Sequence, residues 1–376
     1  MKIPLGKPVF DEEMEQAALG ALRNERFVLG ESVHKFEEEF AKYCGTDFAV
    51  STSSGTDALK IAMLASGINP GQTVVTSPAS FIASANAIIH AQGVPFFSDI
   101  SPETNNIDPL KLEKAITAKT KAVIPVHLYG YPSDMNSIND LAKKHDLVVI
   151  EDACQAHGAS YHGKKAGSLC SVGCFSFYPS KNMTVGGDGG MITTNDEKIA
   201  AAAAKLRDCG RKSQYVHDVV GFTSRLNSVN AAIGRVQLRR LDAWNSSRQQ
   251  AAKEYDKSLE GVGDLVLPPK GSVEIKPVYH LYVVRSKYRD ELKSWLESQG
   301  ICCGIHYVLP IHLQPIYRQM FGYAEGDYPN AEELCKTCLT IPIFPNITES
   351  EIIYISQNIH NFFDGKDFVR SNCRER

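Results

Sequence analysis

One lysine of this chain lies in surroundings that suit covalent chemistry. Lys181 follows an aromatic, apolar run at residues 172–179 (VGCFSFYP) and precedes a glycine-rich stretch at 186–190 (GGDGG). A desolvated lysine loses its charge more readily and can form a Schiff base with an aldehyde, and glycines let the backbone approach a ligand closely. Most lysines in loops are solvated surface residues, but this combination favours a reactive amine at Lys181.

Two adjacent carboxylates end a second apolar run, at residues 147–152 (LVVIED). Glu151 and Asp152 close the run, so we expect both carboxylates at the ligand-binding edge, with Gln155 and His157 as further polar groups there. Ligands of open α/β sheets bind outside the carboxyl ends of the strands, and a carboxylate there can keep the nitrogen of a bound heteroaromatic ring protonated. Capping of a following helix by Asp152 would explain the same residues equally well.

Two further polar segments follow predicted strands. Residues 53–59 (SSGTDAL) open a helix, and backbone N–H groups at a helix start, with hydroxyls beside them, can bind a phosphate. The spacing is not that of a Walker A loop, and on its own an ordinary N-cap explains it better. Residues 77–81 (SPASF) end the next strand, where Phe81 could either stack on a flat heterocycle or belong to the core.

These segments are spaced along an alternation of helices and strands. Amphipathic helices are predicted at residues 11–22 and 31–43, and continuous β-branched runs with helical connectors then indicate buried parallel strands. The predicted strands lie at residues 48–52, 73–77, 94–97, 122–126, 147–152, 172–177 and 191–195. Because only a loop separates the last two, at least one step of the sheet must be antiparallel. We therefore expect an α/β fold, a three-layer sandwich with a mostly parallel central sheet.

The last third of the chain has a different, α+β pattern. The elements predicted there are a long helix at residues 229–259, a strand at 278–284, a helix at 289–299 and a strand at 304–308. Thr348 and Glu351 form the capping box of a final helix, and the polar residues after Phe363 predict a loose tail. Because single domains rarely exceed about 250–300 residues, we predict a large domain at residues 1–245 and a smaller C-terminal domain at 246–376.

Composition excludes some classes of function. The chain has 376 residues and a formal net charge of −3, from 40 Lys and Arg against 43 Asp and Glu. A nucleic-acid-binding protein needs a net basic face, which this balance does not favour. No stretch approaches the ~18 apolar residues of a membrane span, and residues 1–11 lack the apolar core of a signal peptide. The sequence therefore predicts a soluble, cytoplasmic protein.

The ten cysteines are scattered through the chain. Secreted disulfide frameworks are short and rich in cysteine, so we expect reduced thiols. Cys335 and Cys338 have the C-x-x-C spacing, but no second pair completes a four-ligand zinc site. The sequence therefore predicts no metal site.

Taken in order, four segments resemble the DegT-type (DegT/DnrJ/StrS) sugar aminotransferases, which are fold-type I enzymes that use pyridoxal 5′-phosphate (PLP). These segments are SSGTDAL, SPASF, EDACQAHGASY and FSFYPSKN with the following GGDGG. The resemblance extends over nearly the whole chain, from residues 28–30 (VLG) through 304–317 (GIHYVLPIHLQPIY) to 339–348 (LTIPIFPNIT). Four ordered motifs are far more specific than any one of them.

The resemblance implies a role for each cofactor-binding residue. Lys181 would hold PLP and carry protons during catalysis, and Asp152 would pair with the pyridine nitrogen. Gln155 would bond the ring hydroxyl, and Phe81 would stack on the ring. The phosphate would be held by the backbone of Gly55 and Thr56 and by the hydroxyl of Ser176.

In this family a neighbouring subunit completes the site, which implies a homodimer. The segment that would cross over is residues 221–226 (GFTSRL), in which Arg225 is available for an anion and Thr223 stands where relatives often have Asn. His306 and Tyr307 match a motif that approaches the nucleotide sugar, also from the neighbour.

The implied activity is transfer of an amino group from an amino acid, with L-glutamate as donor, to a nucleotide-linked keto-sugar in amino-sugar and polysaccharide biosynthesis. A cyclitol ketone as acceptor and a catalytically inactive, regulatory DegT-like protein remain alternatives. Lys181 disfavours the related dehydratases, which have His at that position. The absence of a G-x-G-x-x-G segment after the first strand argues against an NAD-dependent dehydrogenase.

Overall fold

The computed structural model describes residues 2–374 of the chain. Two single-turn 3₁₀ helices, at Leu128–Gly130 and Ile311–Leu313, accompany the longer elements. The α-helices are α1 (Glu12–Asn24), α2 (Glu31–Cys44), α3 (Gly55–Ala65), α4 (Ala83–His90), α5 (Pro109–Ala115), α6 (Met135–His145), α7 (Glu197–Arg207), α8 (Ser228–Leu259), α9 (Arg289–Ser298), α10 (Pro315–Phe321), α11 (Pro329–Thr337) and α12 (Glu349–Arg374).

The strands form one large sheet and three small ones. They are β1 (Phe48–Thr52), β2 (Thr73–Thr76), β3 (Val94–Phe97), β4 (Thr120–Ile124), β5 (Val148–Asp152), β6 (Ser160–Tyr161), β7 (Lys164–Lys165), β8 (Val172–Ser176), β9 (Gly190–Thr194), β10 (Arg211–Ser213), β11 (Val216–His217), β12 (Ile275–Lys276), β13 (Tyr282–Arg285) and β14 (Cys338–Ile341). The large sheet has seven strands in the order β1-β9-β8-β5-β4-β2-β3. Strand β9 runs antiparallel to both of its neighbours and the other pairs are parallel, which confirms the mostly parallel sheet with an antiparallel step.

Alternation along the strands places apolar side chains on both faces of this sheet. In β5, Val149 packs on the face covered by α5 and α6, whereas Ile150 packs on the face covered by α3, α4 and α7. In β8, Phe175 packs against α2 and α8. Helices therefore cover both faces, and the three-layer sandwich is confirmed.

Strand direction explains why the four polar segments come together. Strands β1, β2, β5 and β8 point the same way, so their carboxyl ends lie on one edge of the sheet. Each of the four segments begins at or just after one of these ends. The edge of the sheet thus collects the candidate site residues.

A second core lies beyond the sheet, around the C-terminal half of α8. There α8, α9 and α12 pack against the antiparallel pair β13–β14, with Tyr255, Tyr282 and Ile355 fully buried. Helix α8 runs without a break across residue 245, the predicted domain boundary, and that boundary stays a prediction.

Two sequence expectations in this part were wrong. Residues 304–308 do not form a strand: Gly304 makes a single bridge to Thr340, and the chain then turns. The partner of β13 is β14 instead, so the segment near Gly304 is left with only that bridge. The loose tail expected after Phe363 is helical, because α12 continues to Arg374 through a stretch without proline.

The start of α12 agrees with its prediction. The Thr348 backbone N–H donates to Glu351 Oε2 at 2.8 Å, and the Glu351 N–H donates to Thr348 Oγ1 at 3.2 Å, which is the reciprocal capping box. No helix within residues 2–374 is both long and apolar enough to cross a membrane.

Candidate active site

A cavity of about 820 Å³ opens at the carboxyl edge of the large sheet. Of the ten predicted site residues, nine line it: Gly55, Thr56, Phe81, Asp152, Gln155, Ser176, Lys181, His306 and Tyr307. Arg225 does not line it. A volume of this size suits a ligand as large as a cofactor together with a substrate.

Lys181 reaches the cavity from the loop that follows β8. Its backbone N–H donates to the Tyr178 carbonyl at 2.9 Å, which fixes the turn. No hydrogen bond or ion pair within the described part of the chain engages its ammonium group. Burial lowers the pKa of Lys181, and Cys154 and Asp152 only partly oppose that shift. The structure therefore gives this lysine the properties of a nucleophile and proton carrier.

Asp152 is the last residue of β5 and presents its buried carboxylate to the same cavity. Ser84 Oγ donates to Oδ2 at 2.6 Å, and the Cys154 N–H donates to Oδ1 at 3.2 Å. Ser84 in turn lies 2.8 Å from the hydroxyl of Ser80. These hydrogen bonds orient the carboxylate, so it could hold the protonated nitrogen of a bound ring.

Glu151 does not reach the cavity, contrary to the expectation that both carboxylates would. Adjacent residues of a strand point to opposite faces, and Glu151 lies behind β5. Its carboxylate accepts from the N–H groups of Gly167 and Leu169, both at 2.7 Å, and lies 3.0 Å from His127 Nε2. This side chain is therefore a buried structural group.

His157 also lies outside the cavity, although the sequence suggested it as a polar group of the site. It is fully buried and its ring packs 5.3 Å from that of Phe175 and 5.8 Å from that of Phe177. Burial lowers the pKa of His157 to about 3. The imidazole is therefore a neutral part of the core behind the site.

The start of α3 forms a close cradle with the end of β8. A Cβ atom on Gly55 would lie 2.6 Å from Ser176 Cβ and 2.9 Å from Cys154 Sγ, so only glycine fits. Ser54 caps the helix by accepting from the Asp57 N–H at 3.1 Å. The first N–H groups of the helix and the Ser176 hydroxyl thus border the cavity, as an anion site requires.

Phe81 and Gln155 both lie next to Tyr307. The Phe81 side chain is 55% exposed and its ring centroid is 6.1 Å from that of Tyr307. Gln155 Nε2 donates to the Tyr307 hydroxyl at 3.4 Å, while its Oε1 accepts from the Tyr129 N–H at 2.9 Å. An apolar ring exposed at a cavity is available for stacking on a flat ligand.

His306 and Tyr307 line the cavity of their own chain, whereas the resemblance implied that they would come from the neighbour. His306 Nδ1 lies 2.8 Å from Thr340 Oγ1, and the Tyr129 hydroxyl donates to the His306 carbonyl. Burial lowers the pKa of His306. The side chain of His306 is held by β14 of the second core, so this core contributes to one wall of the site.

Arg225 is engaged elsewhere in the chain. Its guanidinium donates to Asp208 Oδ1 at 3.0 Å, and Thr223 Oγ1 lies 3.3 Å from Cys209 Sγ. The neighbouring Ser224 connects this segment to α3, because its hydroxyl donates to Asp57 at 2.6 Å. The role of Arg225 in a partner's site stays a prediction.

Among the cavity-lining residues that sequence reasoning missed are three basic side chains: Lys7, Arg248 and His280. Arg248 is buried and donates to the carbonyls of Tyr279, His280 and Ile343 at 3.0–3.3 Å. Burial lowers the pKa of Arg248 to about 10. The available signal was weak: an arginine four residues after Trp244 and seven before Tyr255, on the apolar face of α8.

A partly buried lysine and an oriented carboxylate, at the carboxyl edge of a mostly parallel sheet in a three-layer sandwich, are the arrangement expected of fold-type I aminotransferases. Comparison with known proteins agrees and is more specific. The profile of the DegT/DnrJ/EryC1/StrS aminotransferase family matches residues 8–360. The chain belongs to this family, and its membership confirms the resemblance.

Individual relatives cover almost the whole chain. A pleiotropic regulatory protein of Geobacillus stearothermophilus is 44% identical over 91% of this chain and 92% of its own. The dTDP-3-amino-3,4,6-trideoxy-alpha-D-glucose transaminase of Streptomyces venezuelae is 40% identical over 94% of this chain and 93% of its own. The crystal structure of S. venezuelae DesV in complex with a ketimine intermediate superposes with a TM-score of 0.93 at 38% identity, covering 96% of this chain and 98% of that one.

Proposed function

We propose that this chain is a PLP-dependent aminotransferase that moves an amino group from an amino acid, with L-glutamate as donor, to the ketone of a nucleotide-linked sugar. The observation that carries the proposal is Lys181, whose ammonium has no partner among the described residues and whose pKa is lowered by burial, in one cavity with Asp152. The S. venezuelae relative, a transaminase of a dTDP-linked sugar, supports the substrate class.

The residues at the cavity fit PLP. The cradle between Gly55 and Ser176 leaves no room for a side chain but exposes N–H and hydroxyl groups that suit a phosphate. The exposed ring of Phe81 suits a planar ligand, and the carboxylate of Asp152 suits a protonated ring nitrogen. Gln155 would then lie near the ring hydroxyl.

When bound, PLP supplies an electron sink that stabilises negative charge on the carbon carrying the amino group. The chain's own residues supply the rest. Asp152 would hold a positive charge at the ring nitrogen, and Lys181 Nζ would take the proton from Cα of the amino-acid donor. In the second half of the reaction Lys181 delivers a proton to the former carbonyl carbon of the sugar.

The size and composition of the cavity support a large acceptor. About 820 Å³ exceeds the space that a cofactor needs. His306 and Tyr307, on the wall made by the second core, offer an imidazole and a phenol near the place where a sugar would enter. Both groups can hydrogen-bond to sugar hydroxyls.

We also propose a homodimer in which residues 221–226 approach the partner's cavity. The β10–β11 hairpin and the residues directly after it expose apolar side chains: Tyr215, in the turn of the hairpin, is 85% exposed, and Val220, after β11, is 90% exposed. A continuation of this exposed segment across an interface would bring Arg225 to the partner. The nine cysteines whose surroundings are described are unpaired, which supports work in the reducing cytoplasm.

One relative, from G. stearothermophilus, is named as a regulatory protein, so regulation is the alternative function for this chain. A protein without catalysis has no need for an unpartnered, buried lysine, because such a group costs stability. Lys181, Asp152 and the Gly55 cradle are all present in the proposed arrangement. Catalysis is therefore the function that the geometry supports best.

The experiment that tests the proposal is a screen of acceptors with L-glutamate and PLP. The panel contains dTDP- and UDP-linked 3-keto and 4-keto sugars, together with a cyclitol ketone, and products are followed by mass spectrometry. We expect amination of one nucleotide sugar, abolished by Lys181→Ala and retained in the surface variant Lys198→Ala. Amination of the cyclitol ketone alone would show that the acceptor is a cyclitol and not a nucleotide sugar. If no acceptor is aminated with any amino-acid donor, the proposed aminotransferase function is excluded.

A further inference from the structure

His280 is a buried side chain that faces the cavity without a partner. It lies just before β13, is only 5% exposed and lines the cavity. Its Nδ1 is enclosed and unpartnered, and no hydrogen bond from residues 2–374 engages Nε2. Burying a polar group without a hydrogen bond is costly. The enclosed Nδ1 is out of reach of a ligand, whereas Nε2, which is not among the enclosed atoms, is free to bond to a ligand in the cavity.

The backbone around His280 is fixed from two sides. Arg248 donates to the carbonyls of Tyr279 and His280 at 3.2 and 3.3 Å. On the other side, a Cβ atom on Gly130 would lie 3.0 Å from the His280 nitrogen, so this glycine permits close packing. These contacts fix the backbone of His280 at the wall of the cavity.

The charges near His280 favour an anion. The guanidinium of Arg248 bonds to backbone carbonyls, its Nε has no partner and no carboxylate of the described residues neutralises it. Burial holds the pKa of His280 well below its usual range, and the nearby Lys181, Arg248 and His306 lower it further. An incoming carboxylate would supply both the missing hydrogen-bond partner and the missing negative charge.

We infer that His280 binds the α-carboxylate of the amino-acid donor; this inference rests on the proposed function. The donor's α-carboxylate is attached to the carbon from which Lys181 takes the proton, so it must lie close to that lysine. The diphosphate of a nucleotide sugar is separated from the reacting ketone by the sugar ring and belongs nearer the mouth. His280 belongs with the first group, because Asn182, the residue after Lys181, donates to the carbonyl of Val278, two residues before His280, at 3.0 Å, and both Lys181 and His280 line the cavity.

The test measures donor binding separately from the acceptor. Holoenzyme is mixed with L-glutamate without acceptor, and the change in cofactor absorbance gives an apparent dissociation constant. For His280→Leu we expect this constant to rise about 10- to 100-fold, as loss of a hydrogen bond to a charged group implies. His280→Gln, whose amide nitrogen lies near the position of Nε2, should keep more affinity than His280→Asn, which imitates the enclosed Nδ1.

Two controls separate contact with the donor from a structural role. The reaction of propylamine, which has no carboxylate, and the dissociation constant of PLP should both change by less than about twofold in the three variants. Equal weakening of L-glutamate and propylamine, or unchanged L-glutamate binding in His280→Gln and His280→Leu, would overturn the inference and leave the proposed function standing. Failure of the unmodified holoenzyme to react with any α-amino acid would overturn both the role of His280 and the proposed function.

Discussion

Two buried polar clusters lie on opposite faces of the end of β5, and they differ in how completely their atoms are paired. The rear cluster is His127 with Glu151, and the front cluster is Asp152, Lys181 and His280. In the rear cluster Glu151 accepts from two backbone N–H groups and contacts His127 Nε2, while His127 Nδ1 accepts from the Ser133 N–H at 3.0 Å. In the front cluster Lys181 and His280 have no side-chain hydrogen bond within the described range.

The difference teaches how to separate structural from functional polar residues in this fold. A fully paired buried cluster repays the cost of burial within the chain and stabilises it. A cluster with unpaired members costs stability until a ligand completes it. Substitutions in the rear cluster should therefore change stability, and those in the front cluster should change activity.

The largest effect is expected for Lys181→Ala. Turnover should fall by at least about 10²–10⁴-fold, because the variant has no group to move the proton. The melting temperature of the cofactor-free protein should not fall, since Lys181 has no partner to lose. Steady-state kinetics and thermal melts check both points, with Lys198→Ala as control. If Lys181→Ala lost much stability but kept its turnover, the front cluster would be structural and not functional.

The neighbouring substitution Glu151→Gln should show the opposite result. The amide has one acceptor oxygen instead of two, so the N–H of Gly167 or of Leu169 loses its buried acceptor, which costs about 1–3 kcal/mol of unfolding free energy; the Glu151 and His127 side chains are both fully buried. Activity per folded molecule should stay close to that of the unchanged protein. Denaturant titration and active-site counting give the two values. Asp152→Asn is the matched control, and it should reduce activity far more than stability.

A third prediction concerns His157, which is sealed behind the front cluster. Its pKa is about 3 in the folded state and about 6.5 in the unfolded chain. Between these pH values the unfolded chain binds more protons, so stability falls as pH decreases through 6.5. The loss between pH 7 and pH 5 is about 2 kcal/mol. Denaturant titrations at pH 7 and pH 5 measure this loss of unfolding free energy, and in His157→Phe the part that comes from His157 should be absent. If the loss is unchanged in that variant, His157 is protonated in the folded state.

The smallest effect is expected for Arg225, which belongs to neither cluster of its own chain. If it completes the partner's site, Arg225→Ala should weaken cofactor or substrate binding about tenfold, as loss of one charge-assisted contact implies. Its ion pair with Asp208 is partly exposed, so unfolding free energy should change by no more than about 1 kcal/mol.

Subunit mixing decides where Arg225 acts. In a mixed dimer of Lys181→Ala and Arg225→Ala chains, one site would carry both defects and the other neither. Turnover plotted against the mixing ratio should then rise above the line that joins the two variants. A straight line, with subunit exchange verified by mass spectrometry, would assign Arg225 to its own chain.

The large sheet and the centre of the site were predictable because their signals are local. Strands such as β4 and β5 are continuous apolar runs, and Lys181 and Asp152 follow strand ends that share one edge of the sheet. The expectation that both Glu151 and Asp152 would face the cavity overlooked the period of two in β5, which turns adjacent side chains to opposite faces. The sequence did not say which one faces the cavity, because that depends on the strands and helices around β5.

The remaining parts depend on contacts that are distant in sequence. Strand β14 is short, and it forms because it pairs with β13 more than fifty residues earlier, while the more strand-like residues 304–308 turn away. Arg248 lies within the apolar pattern of helix α8, and His280 lies within the apolar segment just before strand β13. Only the packing of the second core against the sheet brings them to Lys181.

Helix α8 also has a mechanical consequence. It contributes Gln237, Trp244 and Arg248 to the cavity wall and continues to Leu259 in the second core. From Gln237 to Leu259 it is a rod of about 33 Å. A tilt of only about 2° at one end therefore moves the other by about 1 Å, a displacement that can cost a hundredfold in rate. Substitutions in the second core can therefore change the rate of this enzyme, even at residues that never contact a ligand.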